Sequence, residues 1–396
     1  MDKELIRRKA CEMDGWLRDV RRDFHMHPEL GLSEYRTSEK IKSYLEEMGI
    51  EYLTYEGSTC VVGLVRGAYP GRTVAIRADM DALPICESNE VSYKSEVNGI
   101  MHACGHDAHM TILLGTARFF AGIRDQLKGN IKLLFQPAEE SVGGAYDMIE
   151  SGCMKEPEVD YVTGLHVMPY LPCGVIETRY GALNGASDDI GIIIKGRKTH
   201  GAYPEGGIDA IAAAAQVISA LQTIASRNVS PLDSMVLTIG MINGGTAGNI
   251  VADEVNMTAT LRTASKEIRK LAKQRIIEIV SGVSSSLGAV GSVEINEGYE
   301  ALINDSTVVD VIVESANEIL GKGNVLMKEK PSLGVEDFSY FVNVCKGAFY
   351  HLGCGNAGKG ITSPLHTDSF DIDEDCLHIG VMTHAAIALN LLNGQC

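Results

Sequence analysis

The feature that most restricts the fold of this chain is a change of grammar near residue 183 that reverts near residue 300. Before it, short β-like runs end in polar clusters and helix-like runs follow. CVVGLV and TVAIRADM are bounded by Gly67 and a Pro70–Gly71 turn, residues 130–135 run into QPAEESVGGA, and 161–165 run into His166. Met110, Leu113, Leu114, Ala117, Phe120 and Ala121 share one helical face between them. Ahead of all this, two helical patterns in residues 2–49 flank the turn-rich HMHPELGLSE. Such alternation predicts an α/β sheet whose loops gather at the carboxyl edge of the strands.

From GALNGAS (181–187) the order differs: a strand at 187–195, an Ala-rich helix at 207–227, strands at 234–242 and 249–263, a helix at 265–287 and a strand at 291–299. That β-α-β-β-α-β order is the split unit of a ferredoxin-like sandwich, inserted as a small domain. The first grammar then resumes with a helix at 308–320, a strand at 347–352 and a closing helix at 377–392. The expected division is 1–183 with 300–396 as one domain and 184–299 as the other. A chain of 396 residues also exceeds the size at which a single core keeps growing.

The net charge of -17 argues against nucleic acid or an anionic membrane as partner, since both call for a basic footprint. The N-terminal residues are charged throughout and lack the apolar stretch of a secretory signal. The longest apolar run, 208–221, is broken by Asp209 and Gln216 and is too short to span a bilayer. Ten cysteines without CxxC pairs read as reduced thiols of a cytoplasmic enzyme.

Chemistry concentrates in MHACGHDAHM (101–110). His102, Cys104 and His106 fall at every second position and converge if the backbone is extended or loops at a strand end, and thiolate with imidazole suits a zinc-like divalent ion. Asp107 reads as a cap and dipole partner of the following helix, and His102 and His109 as supporting or structural. Downstream lie adjacent carboxylates, Glu139 and Glu140, directly after a strand; one can bind metal while the other reaches a water. His166 ends a strand, and His366 sits in SPLHTDSF. Each alone has an ordinary explanation: a solvated acidic pair, a core histidine, a loop histidine. Together, Cys104, His106, Glu140, His166 and His366 fall at one expected sheet edge. Five ligands exceed the four of a closed structural zinc site, and a two-metal hydrolytic centre with open positions fits better.

Eight segments, in order and over nearly the whole chain, carry a resemblance: RRDFHMHPELGLSEYRTSEKI, AIRADMDALPI, GIMHACGHDAHM, LLFQPAEES, GLHV, GGTAGNIVADEVNMTATLRT, GVEDFSYF and LHTDSF. The chain resembles the metal-dependent amidohydrolase and carboxypeptidase family that includes aminoacylases. HACGHDAH is specific to its branch of N-acyl-amino-acid, hippurate and auxin-conjugate hydrolases. The resemblance implies a mixed-sheet dinuclear-metal hydrolase domain with a lid and dimerisation domain inserted. It implies two divalent ions per subunit (Zn, Mn, Co or Ni) on Cys104, His106, Glu140, His166 and His366, with Glu139 as general base. His200, in KTHGAYPEGGID, is implied to reach the developing oxyanion from the small domain, usually of the partner subunit. Asn249 and Arg262 are implied to hold the substrate's carboxylate, and Asp81 to support the metal ligands from behind. The implied substrate is an N-acyl amino acid, or alternatively a short peptide cut by dipeptidase or carboxypeptidase action, and the implied assembly is a homodimer or homotetramer. The chain departs from the pattern at GRKTH (196–200), where relatives are rich in glycine or serine, and at Glu205, where histidine is frequent.

Overall fold

The structure, a computed structural model, describes residues 3–394; Cys396 lies outside them. The chain forms two compact units. One runs to Leu183 and takes up Ile303–Lys330 and the chain from Asp337; the other is Asn184–Leu302 with Pro331–Glu336. That short return is tied in by the bond of Gly185 N–H to the Gly334 carbonyl and by pairing of Asn184 with Ser332.

The first unit is built on an eight-stranded mixed sheet in the order Glu51–Leu53, Val61–Arg66, Lys128–Gln136, Tyr69–Asp79, Tyr161–Pro172, Lys346–Gly355, Ile176–Thr178, Val325–Met327. The three central pairings that matter for the site run parallel: Tyr69–Asp79 with Lys128–Gln136 and with Tyr161–Pro172, and the latter with Lys346–Gly355. Central parallel strands are covered on both faces, which is why Tyr69–Asp79 is buried without alternation from Val74 onward.

The closing helix, Asp375–Asn393, is long and apolar enough by length and composition to cross a membrane, yet it is mostly buried in this core. Helix His106–Ala121 is likewise buried nearly all round rather than along the single face expected. Residues 3–47 form three helices, not two: Lys3–Glu12, Asp14–Met26 and Tyr35–Glu47. Glu29 caps the third, its carboxylate accepting from the Arg36 and Thr37 N–H groups.

The second unit has a four-stranded antiparallel sheet in the order Met235–Gly244, Glu254–Thr263, Ala186–Lys195, Val290–Glu297, the 2-3-1-4 arrangement of a ferredoxin-like sandwich. Glu254–Thr263 alternates exposed and buried positions, as a sheet covered on one face requires. Helices Ala210–Leu221 and Lys266–Ser286 supply the cover and carry side-chain caps from Asp209 and Ser265. The Ala-rich helix therefore starts later than the sequence suggests. The strand expected over 249–263 is two pieces: Ile250–Val251 leaves the main sheet to pair with Thr199–His200.

Candidate metal centre

Local chemistry explains how MHACGHDAHM bends. Gly105 adopts a left-handed φ of +84°, and a Cβ there would meet Val167 Cγ2 at 2.4 Å, so only glycine lets the chain turn from Cys104 into the helix that begins at His106. His366, across the site, is also left-handed at φ +60°, an uncommon state for histidine that the surrounding structure must hold in place.

The side chains converge. Cys104 Sγ lies 3.3 Å from His166 Nε2 and 3.2 Å from His366 Nε2. Glu140 Oε1 lies 3.0 Å from His366 Nε2 and 3.9 Å from His106 Nε2. Ligand atoms of Cys104, His106 and His166, of Cys104, Glu140 and His366, and of His106, Glu139 and Glu140 form three groups, each within 4.8 Å. All five proposed ligands and the proposed base thus share one place in the first unit, at and beyond the carboxyl ends of parallel strands.

His166 and His106 each have their other nitrogen occupied. His166 Nδ1–H donates to the Val167 carbonyl at 2.8 Å, which leaves the Nε2 lone pair toward Cys104. His106 Nδ1–H donates to Asp81 at 3.2 Å, while Asp81's second oxygen accepts the Glu140 N–H at 3.0 Å. Asp81 therefore aims two of the ligands at once, the support a metal ligand ordinarily receives from behind.

The donor set suits cations. His106 Nε2 is buried with no hydrogen-bond partner among the described residues, and Glu140 Oε1 faces His366 Nε2 at 3.0 Å as an ion-pair contact. Burial opposes a charge on His106, but Asp79 and Asp81 outweigh it and push its pKa up to about 10. Burial and the neighbouring Glu140 hold the Cys104 thiol well above its usual range. A site that recruits protons this strongly carries an excess of negative charge, which divalent ions would neutralise while displacing those protons.

Within the motif, Asp107 departs from expectation while His109 follows it. Asp107 does not cap the helix: Gly105 holds that position with no side-chain cap, and the fully buried Asp107 carboxylate instead accepts from Arg21 Nε at 2.8 Å and His25 Nδ1 at 2.7 Å. A buried guanidinium and imidazole outcompete backbone amides for a buried anion. His109 Nδ1–H donates to Asp79 at 2.6 Å and its Nε2 accepts the Val167 N–H at 2.9 Å, a structural role. His102 is buried with neither ring nitrogen hydrogen-bonded among the described residues, and burial pushes its pKa down to about 4. His166 sits within its strand rather than at its end, opposite His351, because pairing continues to Pro172.

Three supporting residues escaped the sequence reading. Fully buried Arg77 donates to Gln136 (2.8 Å), Asp79 (2.6 Å) and Asp337 (2.8 Å). Asp337 also accepts from Gln136 Nε2 at 2.6 Å and from the Ala145 N–H at 3.1 Å, so it grips both flanks of the loop carrying Glu139 and Glu140. Glu34 grips the loop itself. The signal was an arginine inside the otherwise apolar TVAIRADM, where a charge persists only if it is paired.

His200, Asn249 and Arg262 belong to the second unit. His200 pairs with Ile250, next to Asn249, and its Nδ1 accepts the Ala202 N–H at 3.1 Å, which puts the proton on Nε2. Both residues are exposed. Arg262 lies at the other end of the strand Glu254–Thr263, and from Glu254 to Arg262 an extended strand rises about 27 Å.

Residues 75–390 match the model of peptidase family M20/M25/M40. A thermostable carboxypeptidase of Saccharolobus solfataricus is 38% identical over 98% of this chain and 99% of its own length. An N-acetylcysteine deacetylase of Bacillus subtilis is 36% identical, over 94% and 96%. A Bacillus subtilis protein described as a dinuclear metal-binding peptidase of the M20 family superposes with a TM-score of 0.85 at 32% identity, covering 96% of this chain and 99% of that one. With a fold, a donor set and a near-complete sequence match all in agreement, the chain belongs to peptidase family M20/M25/M40.

Proposed function

We propose that this chain hydrolyses the amide bond of N-acyl amino acids, the acyl group being acetyl or aromatic, and releases a carboxylic acid and a free amino acid. The observation that carries the reading is the convergence of five soft and hard donors with a further carboxylate, Glu139, beside them. Cys104, His106, Glu140, His166 and His366 would hold two divalent ions (Zn, Mn, Co or Ni). Such ions supply Lewis acidity, polarising an amide carbonyl and making water acidic enough to attack at neutral pH.

Glu139 takes the proton from the attacking water and hands it to the leaving amine. His200, protonated on Nε2 while its Nδ1 is engaged, offers a donor to the developing oxyanion. Arg262 offers a fork to the substrate's α-carboxylate. Because Arg262 and the His200–Asn249 pair stand at opposite ends of one small domain, the reading assigns them to different copies: a homodimer, or a homotetramer built from it, in which each site takes His200 and Asn249 from the partner. The edge strand Met235–Gly244, with exposed Val236, Met241 and Ile242, is open to such pairing. The nine cysteines among the described residues are all unpaired, which suits a reducing cytoplasm.

The likeness to a deacetylase supports an acyl substrate. The likeness to a carboxypeptidase favours the second reading, cleavage of short peptides, which needs the same carboxylate fork. A panel of N-acetyl amino acids, N-benzoyl amino acids and dipeptides, run with metal analysis and after chelation, tests both. Turnover of acyl substrates that vanishes on chelation and returns with metal is expected. Turnover confined to dipeptides replaces the first reading with the second, and activity untouched by chelation removes both.

A further inference from the structure

The turn HPELGLSE (27–34) is part of the family resemblance but takes no part in the chemistry above. It packs on the loop that carries Glu139. A Cβ on Gly31 would meet Ser141 Oγ at 2.7 Å and Ala138 Cα at 3.1 Å, so glycine permits the close approach. Glu34 is fully buried, and both carboxylate oxygens are used: one accepts the Ala138 N–H at 2.9 Å, the other the Thr59 hydroxyl at 2.7 Å. Ala138 immediately precedes Glu139 and holds a left-handed φ of +58°, a state an alanine adopts only when its surroundings impose it. On the other side, the Glu140 N–H is held by Asp81. The residues before and after Glu139 therefore each give their amide hydrogen to a buried carboxylate.

We propose that Glu34 is a positioning residue: it fixes Ala138 in the left-handed conformation and so sets the direction of the Glu139 carboxylate. A burial role alone would be served by an apolar side chain, since an ionisable group in the interior is costly unless its hydrogen bonds are made. A charged acceptor is the stronger clamp for an N–H that has no regular secondary structure to pair with. The proposal rests on the reading of Glu139 as base.

The test uses the full-length enzyme with the best substrate of the panel and reads kcat, KM, bound metal and thermal midpoint for Glu34→Ala, Glu34→Gln, Gly31→Ala, Glu139→Gln and the double variant Glu34→Ala with Ala138→Gly. Displacing a reacting group by about 1 Å costs about 100-fold, so Glu34→Ala is expected to lower kcat by about 10- to 100-fold with KM and bound metal within about twofold of the parent. Glu34→Gln keeps an acceptor for the Ala138 N–H and is expected to retain most of kcat. Glycine reaches the left-handed state without a steric cost, so the double variant is expected to regain about tenfold over Glu34→Ala. If Glu34→Ala does not fold, Gly31→Ala, whose methyl presses on Ala138, carries the test, with the same loss in kcat at unchanged metal.

Parental kcat in Glu34→Ala, or in Gly31→Ala where it stands in, overturns the proposal if Glu139→Gln is inactive. So does a loss that follows bound metal and is not recovered by Ala138→Gly. Parental kcat in Glu139→Gln instead removes the reading of the base and the clamp with it.

Discussion

Cys104, His106 and His166 are buried, and both histidines have their second nitrogen tied to a neighbour, whereas His200 and Asn249 stand exposed on a short two-stranded ribbon. As proposed metal ligands the first group needs a fixed geometry, and both its histidines are aimed by partners, while the carboxylates around the helix that follows are themselves held: Asp81 by Glu140's amide, Asp79 by Arg77, Asp107 by Arg21. The second group is proposed to meet a substrate, and a side chain that meets something arriving from outside needs exposure more than rigidity. The contrast teaches where mutation should hurt stability and where it should hurt only turnover.

The largest effect is expected on the buried side. Arg21→Met leaves the fully buried Asp107 with His25 but without its guanidinium, and removing one partner of a buried pair costs about 3–5 kcal/mol. Urea unfolding should show that loss, and a loss under about 1 kcal/mol would mean that the network beneath the ligand helix is not what holds it. On the exposed side, His200→Ala should lower kcat by about 10²–10³, as loss of an oxyanion donor does. Its thermal midpoint should stay with the parent's; a lowered midpoint would break the comparison. Arg262→Ala should act more weakly still, raising KM about tenfold for substrates with a free α-carboxylate at little change in kcat, the share of one lost ground-state contact. An equal rise for a carboxyl-amidated substrate would remove the fork from its assigned role.

Glu177 gives the smallest effect. Burial would raise its pKa, but hydrogen bonds from His351, Lys328 and Tyr170 outweigh that and bring it to about 2. A carboxylate depressed in the folded state stabilises above the ordinary carboxylate range and loses that contribution as pH falls toward 2. The stability gap between the parent and Glu177→Gln should therefore narrow by about 1 kcal/mol between pH 6 and pH 3. A constant gap would show that the cluster is held by packing rather than charge.

Much of the fold is legible because hydrophobic period and breaker residues act locally. The inserted βαββαβ order, the caps at Ser265 and the strands before Glu139 follow from neighbours in sequence. The five donors and Glu139 could be nominated because their residue types are unusual where they fall. The misreading of Asp107 shows the limit: at the first turn of a helix a carboxylate reads as a cap, and nothing nearby reveals that Arg21, 86 residues away, takes it instead. Glu34 and Asp337 were inside matching segments, yet their partners, Ala138 and Gln136, lie 104 and 201 residues away.

The sequence by itself determined the order of elements and nominated the candidate donors, since both are written in local pattern and in side-chain chemistry. Only the tertiary structure decided how those donors are aimed. The left-handed turns at Ala138 and His366, the clamp of Glu34, the pairing of Arg21 with Asp107 and the separation of Arg262 from Asn249 all depend on which distant segments meet. Burial then makes those meetings strict, because a charge withdrawn from water must find its partner in the fold.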